Sequence, residues 1–208
     1  KTPPNLLQIV KATVISATLG SLATRSDPEA LAALAHIGEV DRALGHAELI
    51  HEPARKSRAY RLIAAALIDR RESSTIQPIL QESLKAPRSV ELVHFRCPVL
   101  CDLAETLMKA GEVELARQVA SEAESAAKKE SHKFFIPELL IKTAWAHLWV
   151  GNSEQSNAIA EDALRALGDE NSVQTLAYLV RLEAVLHCGG NIERAGEIRT
   201  KWVALFDK

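Results

Sequence analysis

The 208-residue chain carries a formal net charge of −2, and 47% of its residues are hydrophobic while 25% are charged. This balance is typical of a folded, water-soluble protein, and it argues against a nucleic-acid partner or an anionic membrane surface. Three cysteines, an odd number, do not predict a disulfide framework and favour the reducing cytoplasm. Aromatic residues make up only 4% of the chain, so its core must consist mainly of Leu, Ala, Ile and Val.

An apolar stretch near the N-terminus, residues 6–24, is predicted to form an amphipathic helix within an N-terminal segment of residues 1–25. Gln8 and Lys11 interrupt this stretch, so no apolar run reaches the ~18 residues that a membrane span needs. We therefore expect no membrane partner. The chain begins with Lys1 rather than Met, which favours a processed piece of a longer product.

Five helical hairpins are predicted after this segment, each with a tight turn between its two helices. The turn residues recur every 33 to 40 positions, a spacing typical of stacked helical pairs. We expect a single repeat domain over residues 1–208, with hairpins at 27–52, 58–86, 98–127, 137–168 and 173–208. The turn residues are Gly38, Arg71, Gly111, Gly151 and Gly190, so Arg71 stands where the other copies have glycine.

The clearest copy surrounds Gly111. Ala116, Ala120 and Ala123 follow it by five, nine and twelve positions, which places them on one helical face. Small side chains there let two helices approach closely, as in an antiparallel hairpin. The residues at these offsets in the other four copies are Ala43, Ala47 and Ile50; Ile76, Leu80 and Ser83; Ser156, Ala160 and Ala163; and Ala195, Arg199 and Trp202.

Prolines interrupt the pattern in the second and third hairpins. Pro78 predicts a kink in the second helix of the second hairpin. Residues 85–98 are predicted to form a longer connection, with Pro87 and Pro98 as helix breakers and a short helix at 89–95.

These units resemble tetratricopeptide repeats, which place a small residue in each helix where the two helices cross. Copies longer than the family's ~34 residues resemble extended variants, such as those of kinesin light chains or of sensor domains in maltose-regulator-type bacterial activators. HEAT-type repeats are the alternative at the level of fold. Seven positions before the turn, the small residue is Ala64, Ala104 or Ala144 in the middle copies, but Leu31 and Glu183 stand there in the outer ones.

The resemblance implies an all-α fold, a right-handed α-α superhelix (solenoid) of about five antiparallel hairpins whose first helices line a concave groove. This geometry places in the groove the residues about ten, six and two positions before each turn, together with their flanking residues. Such a groove suits a protein or peptide segment of mixed character. The predicted partner-binding residues are Arg58, Arg61, Asp69, Glu105, Lys109, Ile141, Trp145, Trp149 and Arg181.

Trp145 and Trp149 are the sharpest signal for binding. Because they are four positions apart, they project from one face of a helix. One hypothesis is an aromatic platform for an apolar side chain of a partner, since Trp is enriched at interface hot spots. The alternative is that both pack between neighbouring repeats, because tryptophans are usually well buried.

His94, Cys97 and Cys101 raise the question of a metal site. A zinc site needs four ligands, and no second pair with matching spacing lies nearby, so buried thiols and a histidine between helices are expected instead. No Ser-His-Asp constellation, phosphate loop or HExxH sequence occurs. We therefore predict no metal, no cofactor and no catalytic activity.

Residues 128–133 are locally basic but include Glu130, and Phe134 and Phe135 follow them. We expect a linker that packs both phenylalanines under the next repeat, rather than a nucleic-acid site.

Together these features predict a non-enzymatic protein–protein interaction or scaffold module in the cytoplasm. The alternative is a sensory or regulatory domain of a larger signalling or transcription regulator, which binds a small effector or a sister domain. Trp202 and Phe206 end the array, where a solenoid needs a polar cap, so self-association through this uncapped helix is a further expectation.

Overall fold

The structure, a computed structural model, describes residues 27–72, 76–168 and 172–206. These ranges contain ten α-helices and no β-strand. The helix predicted at residues 6–24 lies outside the described residues.

The chain divides into two compact units, residues 1–89 and residues 90–208. A single domain over the whole chain stays a prediction. The first unit contains α1 (Pro28–His36), α2 (Val40–Glu48), α3 (Pro53–Asp69) and α4 (Ile76–Arg88). The second unit contains α5 (Val93–Lys109), α6 (Val113–Ala127), α7 (Ile136–Trp149), α8 (Ser153–Leu167), α9 (Val173–Cys188) and α10 (Ile192–Phe206).

Within each unit the helices pack as successive hairpins. In the second unit the first helices of the hairpins, α5, α7 and α9, pack side by side. Each of the second helices α6 and α8 packs on the first helix of its own hairpin and also on that of the next hairpin. The first helices of this unit therefore form one contiguous layer.

Hydrogen bonds also join one hairpin of the second unit to the next. Six positions after its turn, α6 carries Arg117, whose Nε donates to the Val150 carbonyl in the next turn (3.4 Å). At the same position α8 carries Asn157, whose Nδ2 donates to the Gly189 carbonyl (3.0 Å). The turns are thus held by side chains of the preceding hairpin.

Each hairpin turn has the same hydrogen-bond pattern. The Gly111 N–H donates to the Met108 carbonyl (3.0 Å), and the Glu112 N–H donates to the Leu107 carbonyl (2.9 Å). This pair of bonds is the Schellman motif, which requires a left-handed residue after the helix, and it recurs at the other four turns. The left-handed residues are those predicted as turns: Gly38 (φ 98°), Arg71 (φ 61°), Gly111 (φ 84°), Gly151 (φ 76°) and Gly190 (φ 81°).

Because Arg71 is the only described non-glycine residue with positive φ, its replacement offers a direct test of these turns. We expect Arg71→Gly to raise the free energy of unfolding by about 0.5–1 kcal/mol, since glycine adopts this conformation without the steric cost of a Cβ atom. The matched variant Gly111→Ala should lower it by about 1 kcal/mol, although a Cβ there meets no neighbour within 4 Å. Urea denaturation measures both changes, and a loss of stability in Arg71→Gly would contradict the explanation.

Pro87 and Pro98 lie inside helices, so the predicted long connection and short helix at residues 85–98 are wrong. α4 includes Pro87 in its last turn, and α5 begins at Val93 and includes Pro98. Pro98 is tolerated because it removes only the bond that its N–H would give to the His94 carbonyl, close to the start of the helix. The third hairpin therefore starts five residues earlier than predicted, at 93 instead of 98.

The second hairpin also starts earlier than the predicted residue 58. Pro53 occupies the first turn of α3, where proline is well suited, and Glu52 accepts a hydrogen bond from the Ala54 N–H (3.1 Å). Pro78 lies in the first described turn of α4, where a missing N–H costs least.

The small residues predicted at the helix crossings are buried. In the third and fourth hairpins, Ala104 with Ala120 and Ala144 with Ala160 are all 0% exposed. The last hairpin has a polar crossing instead. There the Glu183 carboxylate of α9 accepts hydrogen bonds from Arg199 Nε and Trp202 Nε1 of α10, each 2.7 Å long.

Candidate functional site

One side of each first helix in the second unit remains accessible. Its residues lie thirteen, nine, six and two positions before the turn, which follows the 3.6-residue helical period. On α7 these are Glu138, Lys142, Trp145 and Trp149. We call the accessible layer the first-helix face, and it comprises Asp102, Glu105 and Lys109 on α5; Lys142, Trp145 and Trp149 on α7; and Arg181, Ala184 and Cys188 on α9.

The predicted register of this face was wrong at one position. Ile141, ten positions before the turn, is 0% exposed, and Cys101 at the same position of α5 is also buried, whereas Val180 at that position of α9 is exposed. Four residues are more than one full turn of an α-helix, so each step of four rotates the side chain further around the helix axis. Two such steps back from Trp149 rotate the side chain of Ile141 away from the accessible side. Ile141 therefore belongs to the core, and the accessible residue is the next one in α7, Lys142.

Lys109 of α5 and Trp149 of α7 form a surface contact between two neighbouring first helices. Lys109 Nζ lies 5.7 Å from the centre of the Trp149 ring system, within the range of a cation–π interaction, and 2.6 Å from Glu105 Oε1. Trp149 is 48% exposed and Trp145 is half-buried. Trp149 therefore does not pack fully between repeats, and a binding role for the two tryptophans stays a prediction.

The residues of the face that lie nine positions before the turns are all charged. Asp102, Lys142 and Arg181 occupy it on the three successive helices. Arg181 is half-buried and makes no ion pair within the described ranges. The face thus combines an aromatic end near the turns with a charged middle level, and Arg181 is available for a carboxylate.

The other predicted residues lie on α3 in the first unit. Arg58 pairs with Glu29 of α1, and both side chains are exposed. Arg61 is half-buried, and Asp69 is exposed at the last residue of α3. These three side chains are charged and belong to the first unit.

Cys97 and Cys101 are buried, and both lie against Thr143 of α7. The Thr143 hydroxyl is 3.5 Å from Cys97 Sγ and 3.9 Å from Cys101 Sγ. The contact between the two thiols lowers the pKa of Cys97 and raises that of Cys101. In the described part of the chain no group of three or more His, Cys, Asp or Glu side chains could hold a metal ion.

His147 is a buried polar residue beneath the first-helix face, at a position where four hairpins carry leucine. Its Nε2 lies 3.0 Å from Glu124 Oε2, but neither ring nitrogen makes a well-directed hydrogen bond. Glu124 is also bound by Lys128 and Gln155, at 2.6 and 2.7 Å. Burial lowers the pKa of His147, although Glu124 opposes that shift.

Replacing His147 by leucine should therefore change how stability depends on pH. The folded-state pKa of His147 lies below the value of 6.5 expected when unfolded, so its contribution is fully present above pH 6.5 and is lost as pH falls through the folded-state pKa. We expect His147→Leu to gain about 1 kcal/mol at pH 7.5 and to lose less stability on acidification below pH 6.5. Denaturation with urea across this range measures the effect. The same pH slope in both proteins would contradict the assignment to His147.

Comparison with known proteins agrees with the described architecture. The chain is similar to a Podosopora anserina protein described as a kinesin light chain with nearly identical TPR-like repeats, at 16% identity and a TM-score of 0.57, over 88% of this chain and 94% of that chain. A variant of that protein gives 16% identity and a TM-score of 0.56, over 88% and 93%. No family model and no curated protein matches the sequence.

The predicted fold class is confirmed: the chain is an all-α solenoid of TPR-like helical repeats. At 16% identity the likeness shows the fold alone. No helix in the described part of the chain has the length and apolar character needed to cross a membrane.

Proposed function

We propose that the chain is a non-enzymatic interaction module whose first-helix face in the second unit binds a segment of a partner protein. Helical repeats of this kind generally act as interaction scaffolds. The observation that carries the proposal is the exposed Trp149 beneath Lys109, because partly exposed tryptophans on ordered helices are frequent binding hot spots.

The chemistry of the face supports a segment of mixed character. An apolar side chain of the partner would cover Trp145 and Trp149, and Ala184 is an exposed apolar residue of the face on α9. A carboxylate of the partner would pair with Arg181 or compete with Glu105 for Lys109. A helical or an extended peptide satisfies these requirements.

The test is selection of binding peptides from a random dodecapeptide library, followed by affinity measurement with variants. We expect peptides selected on the wild-type protein to bind Trp149→Ala/Lys109→Ala at least tenfold more weakly, because the aromatic contact and the charge are both lost. The control Ile37→Ala removes a more exposed apolar side chain from the first unit and should leave the affinity unchanged. Unchanged affinity for the double variant would overturn the site.

A second interaction that we propose is self-association through α10. Its outer side exposes Val203 and Phe206, the latter by 74%, and no described element covers them. Light scattering after size exclusion should show a dimer for the wild-type chain and a monomer for Val203→Ser/Phe206→Ser. A monomeric wild-type chain at high concentration would rule this contact out.

The proposals for the compartment and for the wider role of the chain are based on its sequence. The three cysteines are free thiols, which supports the cytoplasm as the compartment we propose. The alternative of a regulatory domain in a larger protein stays a prediction.

A further inference from the structure

Five aromatic rings form a cluster where the N-terminal end of α7 meets that of α5, and the His132 ring is its outlying member, 6.3 Å from Phe135. The His94 ring stacks on Phe135, with ring centres 4.5 Å apart and planes 12° apart. Phe95 lies 4.5 Å from His94, and Phe134 meets Phe135 edge-on at 5.3 Å. The cluster therefore runs continuously from Phe95 through His94 and Phe135 to Phe134.

The two ends of this cluster are exposed although its middle is not. Phe95 is 55% and Phe134 is 64% exposed, whereas His94 and Phe135 are half-buried. The expectation that both phenylalanines of the linker pack under the next repeat is thus wrong for Phe134. Large exposed apolar side chains held next to each other commonly mark an interaction surface.

The loop that carries Phe134 is fixed by its own hydrogen bonds. Glu130 accepts hydrogen bonds from the Ser131 and His132 N–H groups, each 2.9 Å long, and its carboxylate lies 3.5 Å from His94 Nδ1. An exposed aromatic side chain on an ordered loop loses little conformational freedom when it is bound. Phe134 is accordingly preorganised for contact.

A cleft begins beside Phe134 and supplies space for a partner side chain. It has a volume of about 310 Å³ and lies between the end of α8 and the starts of α7 and α9. Pro137, Leu167 and Tyr178 contribute apolar surface to it, and Lys133 lies at its rim. An aromatic or leucine side chain fits these dimensions and this lining.

Two exposed lysines lie beside the cluster. Lys129 and Lys133 are exposed on the same loop and have no ion-pair partner among the described residues. The N-terminus of α5 has neither a side-chain cap nor an acidic residue in its first turn. The Phe95 and Arg96 N–H groups donate to the Leu92 carbonyl, which leaves those of Val93 and His94 for an anion. The acids nearby are Glu91, before α5; Glu130, which the loop itself uses; and Glu138, which is half-buried in the first turn of α7.

We propose that this surface, the aromatic edge (Phe95, Phe134, Lys129 and Lys133), docks an acidic segment of a partner protein that carries aromatic or leucine side chains. Charge complementarity determines the acidic character, and the exposed rings with the adjoining cleft determine the apolar one. Two unpaired lysines are too few for a nucleic acid, whose binding neutralises many phosphates. The surface is separate from the first-helix face, so the inference goes beyond the function proposed above.

A synthetic nonapeptide that alternates Glu with Leu and Phe, labelled with fluorescein, tests the proposal by fluorescence anisotropy. We expect it to bind the wild-type chain, and to bind Phe95→Ala/Phe134→Ala and Lys129→Glu/Lys133→Glu at least tenfold more weakly. A peptide with Lys in place of each Glu should also bind at least tenfold more weakly. Circular dichroism checks that the variants fold, as expected from the exposure of all four side chains.

The control variant Trp149→Ala/Lys109→Ala separates this surface from the first-helix face. It should retain the nonapeptide affinity within twofold. If that variant loses the peptide while the aromatic-edge variants keep it, the inference fails and the proposed function gains support. No binding by the wild-type chain, equal binding of the Lys peptide, or tighter binding of a labelled nonathymidylate would each overturn the inference.

Discussion

Replacing Ala160 by leucine is expected to destabilise the protein by about 3 kcal/mol, because the crossing of α7 and α8 has no room for three more carbon atoms. Ala160 is 0% exposed, and so is Ala144 at the corresponding position of the partner helix. A larger side chain would push the two helices apart and disturb contacts on both sides of the hairpin. The loss should appear as a lower urea midpoint with an unchanged slope.

The matched control for this substitution lies two residues away on the same helix. Ala158 is exposed, so Ala158→Leu changes helix propensity and hydrophobicity as Ala160→Leu does but should alter stability by less than about 0.5 kcal/mol. Equal effects of the two substitutions would show that the crossing tolerates large residues. The small-residue pattern would then have no role in how the helices pack.

That pattern could be found in the sequence because it is local. A left-handed residue after each helix and small residues at fixed offsets from it depend on the geometry of one hairpin, and a chain of about 40 residues contains all of it. Even the departure at Arg71 follows the rule, since its φ of 61° lies in the same left-handed region as the φ angles of the glycines at the other four turns.

The candidate site was harder to predict because it depends on rotation about a helix axis. An error of one residue in the assumed register turns a side chain by about 100°, which is why Ile141 was assigned to the groove although it lies in the core. The register error does not affect the tryptophans, because Trp145 and Trp149 lie six and two positions before the turn, which follows the 3.6-residue period. Amphipathic spacing of Glu138, Lys142, Trp145 and Trp149 was the signal that could have corrected it.

The polar crossing of the last hairpin illustrates what a sequence alone does not reveal. Glu183, Arg199 and Trp202 each depart from the small-residue pattern, and taken singly they suggest a degenerate repeat. The structure shows that they replace the pattern together, since one carboxylate accepts hydrogen bonds from both partners on α10. Residues sixteen and nineteen positions apart form this contact only once the hairpin has closed.

Glu183→Ala is accordingly expected to destabilise the chain by about 2 kcal/mol, because it leaves Arg199 and Trp202 without their shared acceptor. The Glu183 side chain is 12% exposed, so water cannot readily replace it, whereas Arg199 is 61% exposed and can be hydrated. Arg199→Ala should therefore cost less than 1 kcal/mol, since Glu183 keeps its bond to Trp202. Urea denaturation at pH 7 measures both values, and equal losses would contradict the asymmetry.

The pH dependence of the same variant gives an independent check. Burial alone would raise the pKa of Glu183, but the hydrogen bonds from Arg199 and Trp202 lower it below the ordinary value of 4.5. Its contribution to stability is thus present above pH 4.5 and is lost as pH falls through the folded-state pKa. The difference between wild-type and Glu183→Ala should shrink below pH 4.5 and stay constant between pH 5 and 8. Because the loss of stability linked to His147 begins below pH 6.5 and that linked to Glu183 begins below pH 4.5, the two onsets can be distinguished in one titration of stability. A difference that does not shrink at any pH below 4.5 would mean that Glu183 stabilises the hairpin by packing rather than by its charge.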